Sequence, residues 1–372
     1  MNDFNHPAAA TTSLGASRLI GLDVTRAIAL IGVVVMNYHG NLNDQGNGTD
    51  LWHRLFNVYS GVLSTRFAAT FVLVAGIGTA LLSRRAYEKN HEVGKLRIRL
   101  VRRGVLLIFG GYFLNDAWPG TILFYYGAYF ILSAIFAMWK SRSIIILAVT
   151  TAVTAAAISS WELNRQNLGH STDWMHPQSI DSVKDLFLRI FIDYTHPVFP
   201  WLSFFCIGIV IGRNLEIVRK SWRRIATICL LILVLCYSVS AVLNFQNFRS
   251  NSVIHGITSM QPFSRGLFYT LTSGSVAIIA FLVISQVADK YHQNRLIVHL
   301  QRSGQVTLSL YLLHVLAYYA LVKWSHMITA TGLDTALMFA GVFWLFAIMI
   351  ASWWQHHFGQ GPVERLYRAI GG

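Results

Sequence analysis

The chain has 372 residues, of which 54 % are hydrophobic and only 12 % charged, with a mean hydropathy of +0.48. About a quarter of a soluble domain is charged, and apolar runs long enough to cross a hydrocarbon core of about 30 Å recur along the whole sequence, which excludes an ordinary water-soluble enzyme. The net charge of +14 comes from short basic clusters between apolar runs and not from one basic face, so it excludes a nucleic-acid-binding protein and reads as a topology signal.

In chain order, the first seventeen residues are polar and expected to be disordered. They have no basic n-region, short apolar core and small-residue cleavage site, so no removable signal peptide is expected. Apolar runs against basic flanks then predict spans near 19–40, 60–83, 103–117, 120–139, 143–161, 197–217, 224–244, 266–287, 304–323 and 334–354. The expectation is an all-α, polytopic membrane bundle of about ten helices. The third run is the shortest, loosened by Gly104, Gly110 and Gly111, which suits a tilted or partly re-entrant helix.

Assigning the N-terminus, 84–103, 140–142, 213–224, 290–302 and the C-terminus to one side, with Arg26 just inside the first span, collects 22 of the 30 Lys and Arg residues. By the positive-inside rule that side is the cytoplasm and holds both termini. Opposite lie His39, Asp44, Asp50 and His53, the stretches 162–196 and 245–265, and a short turn at 324–333. No inverted repeat or low-complexity linker divides the chain, so 18–358 reads as one membrane domain. Residues 183–194 place Val183, Leu186, Phe187, Ile190 and Tyr194 on one face, as in a helix lying in the outer interface. The final stretch, 359–372, opens with Gly361-Pro362 and carries Val363, Leu366 and Ile370, as in a short cytoplasmic amphipathic helix. Cys206, Cys229 and Cys236 lie within apolar runs with no metal or redox spacing and read as packing residues.

Several polar groupings interrupt the apolar runs. Asp23 and Arg26 share a face of the first span; they are either an ion pair that locks this helix into the bundle or part of a polar site. The same helix ends in Asn37-Tyr38-His39-Gly40, and the loop continues to His53. Histidine is the usual general base for a hydroxyl or amine proton, and an Asn amide can donate to an oxyanion; both histidines are equally read as interfacial or solvated. Asp116, in the turn Asn115-Asp116 before Trp118-Pro119-Gly120, orients a histidine or sugar hydroxyl, or is a turn residue. Trp161, His170, Asp173, Trp174, His176, Asp193, Tyr194, His196 and Trp201 give either a carbohydrate platform or an interfacial aromatic belt; no metal site is expected, because no second cluster of ligand spacing accompanies them. Tyr311 and His314 share one face of the ninth span at mid-membrane depth, where an imidazole needs a polar lining. Arg97, Arg99, Arg102 and Arg103 have the charge to hold phosphates, which the positive-inside rule also supplies.

The stretch RLIGLDVTRAIALIGVVVMNYHG resembles the first helix of the transmembrane acyltransferase superfamily, nearest to heparan-α-glucosaminide N-acetyltransferase-like catalytic domains. RFAATFVLVAGIGTALLSRR is similar to its second helix, and RRGVLLIFGGYFLND with ILFYYGAYFIL to its third and fourth. HPVFPWLSFFCIGIVIGR, GQVTLSLYLLH and GPVERLYR resemble a related uncharacterised bacterial membrane family, and together these segments cover most of 18–368. The resemblance implies transfer of an acyl group, usually acetyl, from cytoplasmic acetyl-CoA or another acyl-CoA to a hydroxyl or amine across the membrane. The family's Asn and following histidine carry over to Asn37 and to His39 or His53. The family interval is longer than that to His39 and shorter than that to His53, so the histidine stays open between them.

The resulting expectation is an acyltransferase, metal-free, with CoA phosphates on Arg99, Arg102 and Arg103. Asn37 and His39 or His53 do the chemistry, with Asp23, Arg26, Asp116, Tyr311 and His314 as supporting polar groups. The acceptor is an extracytoplasmic glycan or glycoside, and the setting is the lipid bilayer of a bacterial plasma membrane. No nucleic-acid partner is expected, and a homo-oligomer is compatible with the sequence. The competing reading is a small-solute or proton-coupled transporter, which an intramembrane Asp, Arg and His would also serve; a non-enzymatic scaffold is a third.

Overall fold

The structure is a computed structural model that describes residues 9–42, 49–89, 92–245, 251–329 and 332–372. All regular structure among them is helical. In order the helices are α1 (Ala9–Asn41), α2 (Leu51–Phe56), α3 (Arg66–Lys89), α4 (Val93–Asn115), α5 (Leu123–Phe136), α6 (Ser141–Asn167), α7 (Val183–Phe191) and α8 (Val198–Arg213). They continue as α9 (Leu215–Lys220), α10 (Trp222–Phe245), α11 (Ser252–Thr258), α12 (Leu267–Lys290), α13 (Arg295–Gly304), α14 (Thr307–Tyr318), α15 (Leu333–Phe358) and α16 (Pro362–Gly371). A π-helical turn, Tyr319–Trp324, extends α14.

Among the described residues six stretches are long and apolar enough to cross a membrane: Ile20–Asn41, Arg66–Arg84, Ser141–Asn167, Trp222–Leu243, Leu267–Lys290 and Leu333–Phe358. A seventh is the pair Arg295–Gly304 and Thr307–Trp324, bent by 85° at their junction. The count of ten therefore rests on three further helices. The α5 helix has 14 residues and α8 has 16, about 21 and 24 Å at 1.5 Å per residue, short of a full hydrocarbon crossing. The basic run expected in a loop at 84–103 is mostly helical, since α3 extends to Lys89 and α4 already begins at Val93; Lys95 and four arginines occupy the first half of α4 and leave only its second half apolar. The 290–302 stretch, also expected as a loop, contains α13. Its polar composition hides it from a hydropathy reading, but Ile297 and Leu300 bury one face. The α1 helix starts at Ala9, inside the stretch expected to be disordered.

The chain forms two compact units. The first comprises residues 1–46 and 280–364, where α1 packs against α13, α14 and α15. Its core includes Val24, Ala27, Ala288, Ile297 and Leu300. The tightest approach is at the C-terminus of α13: a Cβ on Gly304 would lie 1.9 Å from the Asp23 carbonyl oxygen, so only glycine lets the two backbones meet. The break after α13 exposes the N-terminal amides of α14, and Glu364 satisfies them. Its Oε1 accepts from Leu308 N at 2.7 Å and Ser309 N at 3.1 Å, a carboxylate at the positive end of the helix dipole.

The second unit comprises residues 47–279 and 365–372. Its most extensive helix pairings are α3 with α8, α4 with α5 and α6 with α8. Gly76 and Gly208 face each other between α3 and α8; a Cβ on either would come within 2.1 Å of a carbonyl oxygen on the opposite helix. Small residues at such crossings give van der Waals contact that lipid cannot replace. On α7 the apolar side divides: Leu188 and Ile190 are buried against the unit, while Val183 and Phe187 are exposed, as an interface-lying helix requires. In α10, by contrast, only 11 % of the 18-residue apolar window is buried, so most of its surface is left for lipid or another apolar neighbour.

Candidate active site in α1 and α14

In the first unit the polar end of α1 meets the histidine of α14. The His314 side chain is fully buried. Its Nδ1 bonds to the Tyr311 carbonyl oxygen, and since a carbonyl can only accept, Nδ1 carries a proton. In the neutral ring Nε2 is then the acceptor, and the Asn37 amide donates to it from Nδ2 at 3.1 Å. Tyr311 thus contributes its backbone, and the carbonyl fixes the tautomer as a metal or catalytic imidazole needs.

Aromatic packing holds this pair in register. Tyr38 is fully buried, donates its hydroxyl to the His314 carbonyl at 3.0 Å, and stacks on Phe339 of α15 with ring centroids 4.1 Å apart. One turn on, Tyr318 donates to the Asn41 carbonyl at 2.8 Å and the Asn41 amide to the Asn37 carbonyl at 2.9 Å. Asn37 itself is only partly buried. Its Oδ1 accepts from no described residue, and its second amide hydrogen is available.

The other expected site residues are placed differently. His39 is fully buried on α1, but two residues at about 100° each put it on nearly the opposite face from Asn37. His53 belongs to the second unit and to the short α2. There Asp50 caps the helix, accepting from His53 N at 2.9 Å and contacting its Nδ1 at 2.7 Å; these bonds hold the Asp50 carboxyl below its ordinary pKa. Asp44 lies outside the described residues. Asp23 and Arg26 pair at 3.1 Å, and Gln305 donates to Asp23 Oδ2 at 3.0 Å while Gln355 donates to Gln305 at 2.9 Å. This chain of bonds ties α1 to the α13–α14 junction and to α15, the geometry of a structural lock.

Asp116 is the exposed C-cap of α4 and bonds to no described residue. Arg99 and Arg102 are exposed on α4, free to meet an anionic ligand. Arg103 is occupied: it donates to the Gly372 carbonyl at 3.0 Å and lies over the Tyr367 ring of α16.

In the second unit, part of the 161–201 grouping converges. His176 sits between two carboxylates, with Nε2 2.5 Å from Glu162 and Nδ1 3.0 Å from Asp193, and Arg265 pairs with Asp193 at 2.9 Å. Burial lowers the His176 pKa, but Asp193 and Glu162 outweigh it and leave the value raised. Asp193 is held below the usual carboxylate range, burial being outweighed by the Arg265 charge and its bonds. His196 behaves oppositely: packed against Trp201, it is pushed down to about 3 by desolvation, with Arg265 adding repulsion. Trp161 and Trp174 remain exposed. Glu162 and Arg265 were not singled out from sequence; an acid at the end of an apolar run and an arginine on the side depleted of basic residues were the available signals. Among the described residues no His, Cys, Asp and Glu grouping could hold a metal.

Comparison with known families adds the remaining constraint. Residues 213–371 match the family described as a protein of unknown function, DUF418, and residues 18–237 match the family described as heparan-alpha-glucosaminide N-acetyltransferase, catalytic. The two matches overlap on α9 and most of α10. No curated protein matches the chain. The second match takes in α1 with Asn37 and more than half of the sequence, and with the apolar spans of the fold it places this integral membrane protein in the heparan-alpha-glucosaminide N-acetyltransferase catalytic family.

Proposed function

We propose that the protein transfers an acyl group, acetyl in the first instance, from cytoplasmic acyl-CoA to a hydroxyl or amine of an extracytoplasmic carbohydrate. The observation that carries this reading is the Asn37–His314 pair. It combines a buried neutral imidazole of fixed tautomer with a partly exposed amide that keeps one N–H and its oxygen unused.

In this reading His314 is the base that the sequence assigned to His39 or His53. The acceptor X–H displaces the Asn37 amide from Nε2, and the imidazole takes the acceptor proton as X attacks the thioester carbonyl carbon. The Asn37 amide donates to the carbonyl oxygen as it becomes an oxyanion. When the C–S bond breaks, the proton passes from the imidazolium to the departing thiolate. Such a base contributes typically 10²–10⁴-fold, and an oxyanion donor about 10²–10³-fold. Arg99 and Arg102, exposed on α4, carry the charge that CoA phosphates call for, and the setting is a bacterial plasma membrane.

The test offers radiolabelled acetyl-CoA to inside-out vesicles loaded with a glycan acceptor and containing the wild type or the Asn37→Ala, His314→Ala, His39→Ala and His53→Ala variants. Label should reach the acceptor with the wild type and be lost with Asn37→Ala and His314→Ala. Loss confined to His39→Ala or His53→Ala would move the base to that residue. Solute flux without any label transfer would replace the enzyme with a transporter.

A further inference from the structure

The second unit contains a cavity of about 300 Å³ between the end of α6, the segment after α7 and the segment before α12. That is at the small end of the range for small-molecule sites, roughly 300–1,000 Å³. Its walls are of two kinds. Glu162, His176, Asp193 and Arg265 form a polar side, and Phe199 and Phe263 with neighbouring aliphatic side chains form an apolar one.

The hydrogen bonds on the polar side decide what could enter. Both His176 ring nitrogens are engaged by carboxylates. Arg265 donates to the Ile192 carbonyl at 2.6 Å, and to Asp193 Oδ1 and the Tyr194 carbonyl at 2.9 and 2.6 Å. Both His176 nitrogens and three of the five Arg265 N–H groups are therefore already committed. The acceptors have room: every described donor to Glu162 reaches Oε1, no described residue donates to Oε2, and Asp193, which also accepts from the Tyr194 backbone, takes no described side-chain bond on Oδ2. A ligand that uses these acceptors must bring donors.

Charge and spacing narrow the class further. With His176 protonated, two cations balance two carboxylates, so the lining neither attracts nor repels a net charge strongly. The two carboxylates flank opposite ring nitrogens of one imidazole. A ligand that uses both needs several hydroxyls on one frame and an apolar face for the phenylalanines.

We infer that this cavity binds an uncharged polyhydroxylated ring, a single glycosyl unit or a disaccharide, by donation of its hydroxyls to Glu162 and Asp193. This goes beyond the transfer reading, because it concerns binding in the second unit and needs no acyl chemistry.

The experiment uses the full chain in detergent micelles, with methyl-β-glucoside and cellobiose as probes and glucuronate and spermidine as charged comparisons. Saturation-transfer difference NMR measures contact and titration measures affinity. Wild type should show transfer to the sugar ring protons. Glu162→Gln, which keeps the shape and removes the charge-assisted acceptor, should weaken binding about tenfold or more. Leu163→Trp, which fills the cavity from its wall, should abolish it, with the melting temperature of each variant checking that it folds. Binding that survives Leu163→Trp in a folded protein, spermidine or glucuronate binding in place of the sugars, or no sugar contact with folded wild type would each overturn the assignment. Acyl transfer is not read, so a negative result here leaves the Asn37–His314 proposal standing, and loss of transfer in His314→Ala leaves sugar contact unchanged.

Discussion

His314 and His176 are the same side chain driven to opposite states by their partners. In the first unit, a backbone carbonyl and an amide bond to a fully buried ring, and both bonds are consistent with neutrality. In the second, two carboxylates grip a partly exposed ring from both sides and favour the imidazolium. The lesson is that the bonds around a histidine determine its chemistry more than its depth in the fold. Neutral His314 retains a lone pair that can take a proton, whereas His176 acts as a cationic cross-link between α6 and the segment after α7.

The largest expected effect separates these roles. His314→Ala should lower acetyl transfer by about 10²–10⁴-fold, the usual worth of a general base, while His176→Ala should leave the turnover rate within a few-fold; initial rates with labelled acetyl-CoA decide. Equal losses in both variants would erase the distinction.

The next effect concerns pH. The folded-state pKa of His176 is raised above the ordinary value of about 6.5. Its stabilisation is therefore fully present below pH 6.5 and is lost as the pH rises through the folded value. Asp193, with a lowered folded pKa, contributes above its ordinary value of about 3.9 and loses that contribution as the pH falls through the folded one. The melting temperature of the wild type should fall as pH rises above about 6.5 and through the raised His176 value, and His176→Phe should remove most of that slope. An unchanged slope would mean that the cross-link is not ionic.

A smaller effect is expected at the entry to α14. Glu364→Gln weakens the bonds to Leu308 N and Ser309 N and should destabilise the first unit by about 1 kcal/mol, typical of a helix cap, visible as a lower melting temperature. The smallest is at the α4 arginines. Arg99→Ala with Arg102→Ala should raise the KM for acetyl-CoA several-fold with little change in kcat, as loss of uniform binding does.

Much of the membrane architecture was legible because lipid selects simple patterns. Apolar runs located α1, α3, α6, α10, α12, α14 and α15, and the amphipathic α7 and α16 were readable from their faces. What hydropathy could not supply was the bend after Gly304 or the helix preceding it, because α13 buries only a narrow stripe and its polar surface reads as loop. The site divides in the same way. Asn37 and His314 each stand out as polar groups in an apolar helix, yet their pairing spans 277 residues and is a product of packing. Glu162 and Arg265 flank helices and match no motif, so only the fold brings them to His176.

The bond from Glu364 to the start of α14 has a consequence for regulation of the candidate base. His314 lies less than two turns beyond Ser309, so the rotational setting of the imidazole depends on a carboxylate contributed from far downstream in the chain. A substitution that frees Leu308 N and Ser309 N would therefore reach the candidate base through the start of its own helix, without touching any atom that takes part in the proposed transfer.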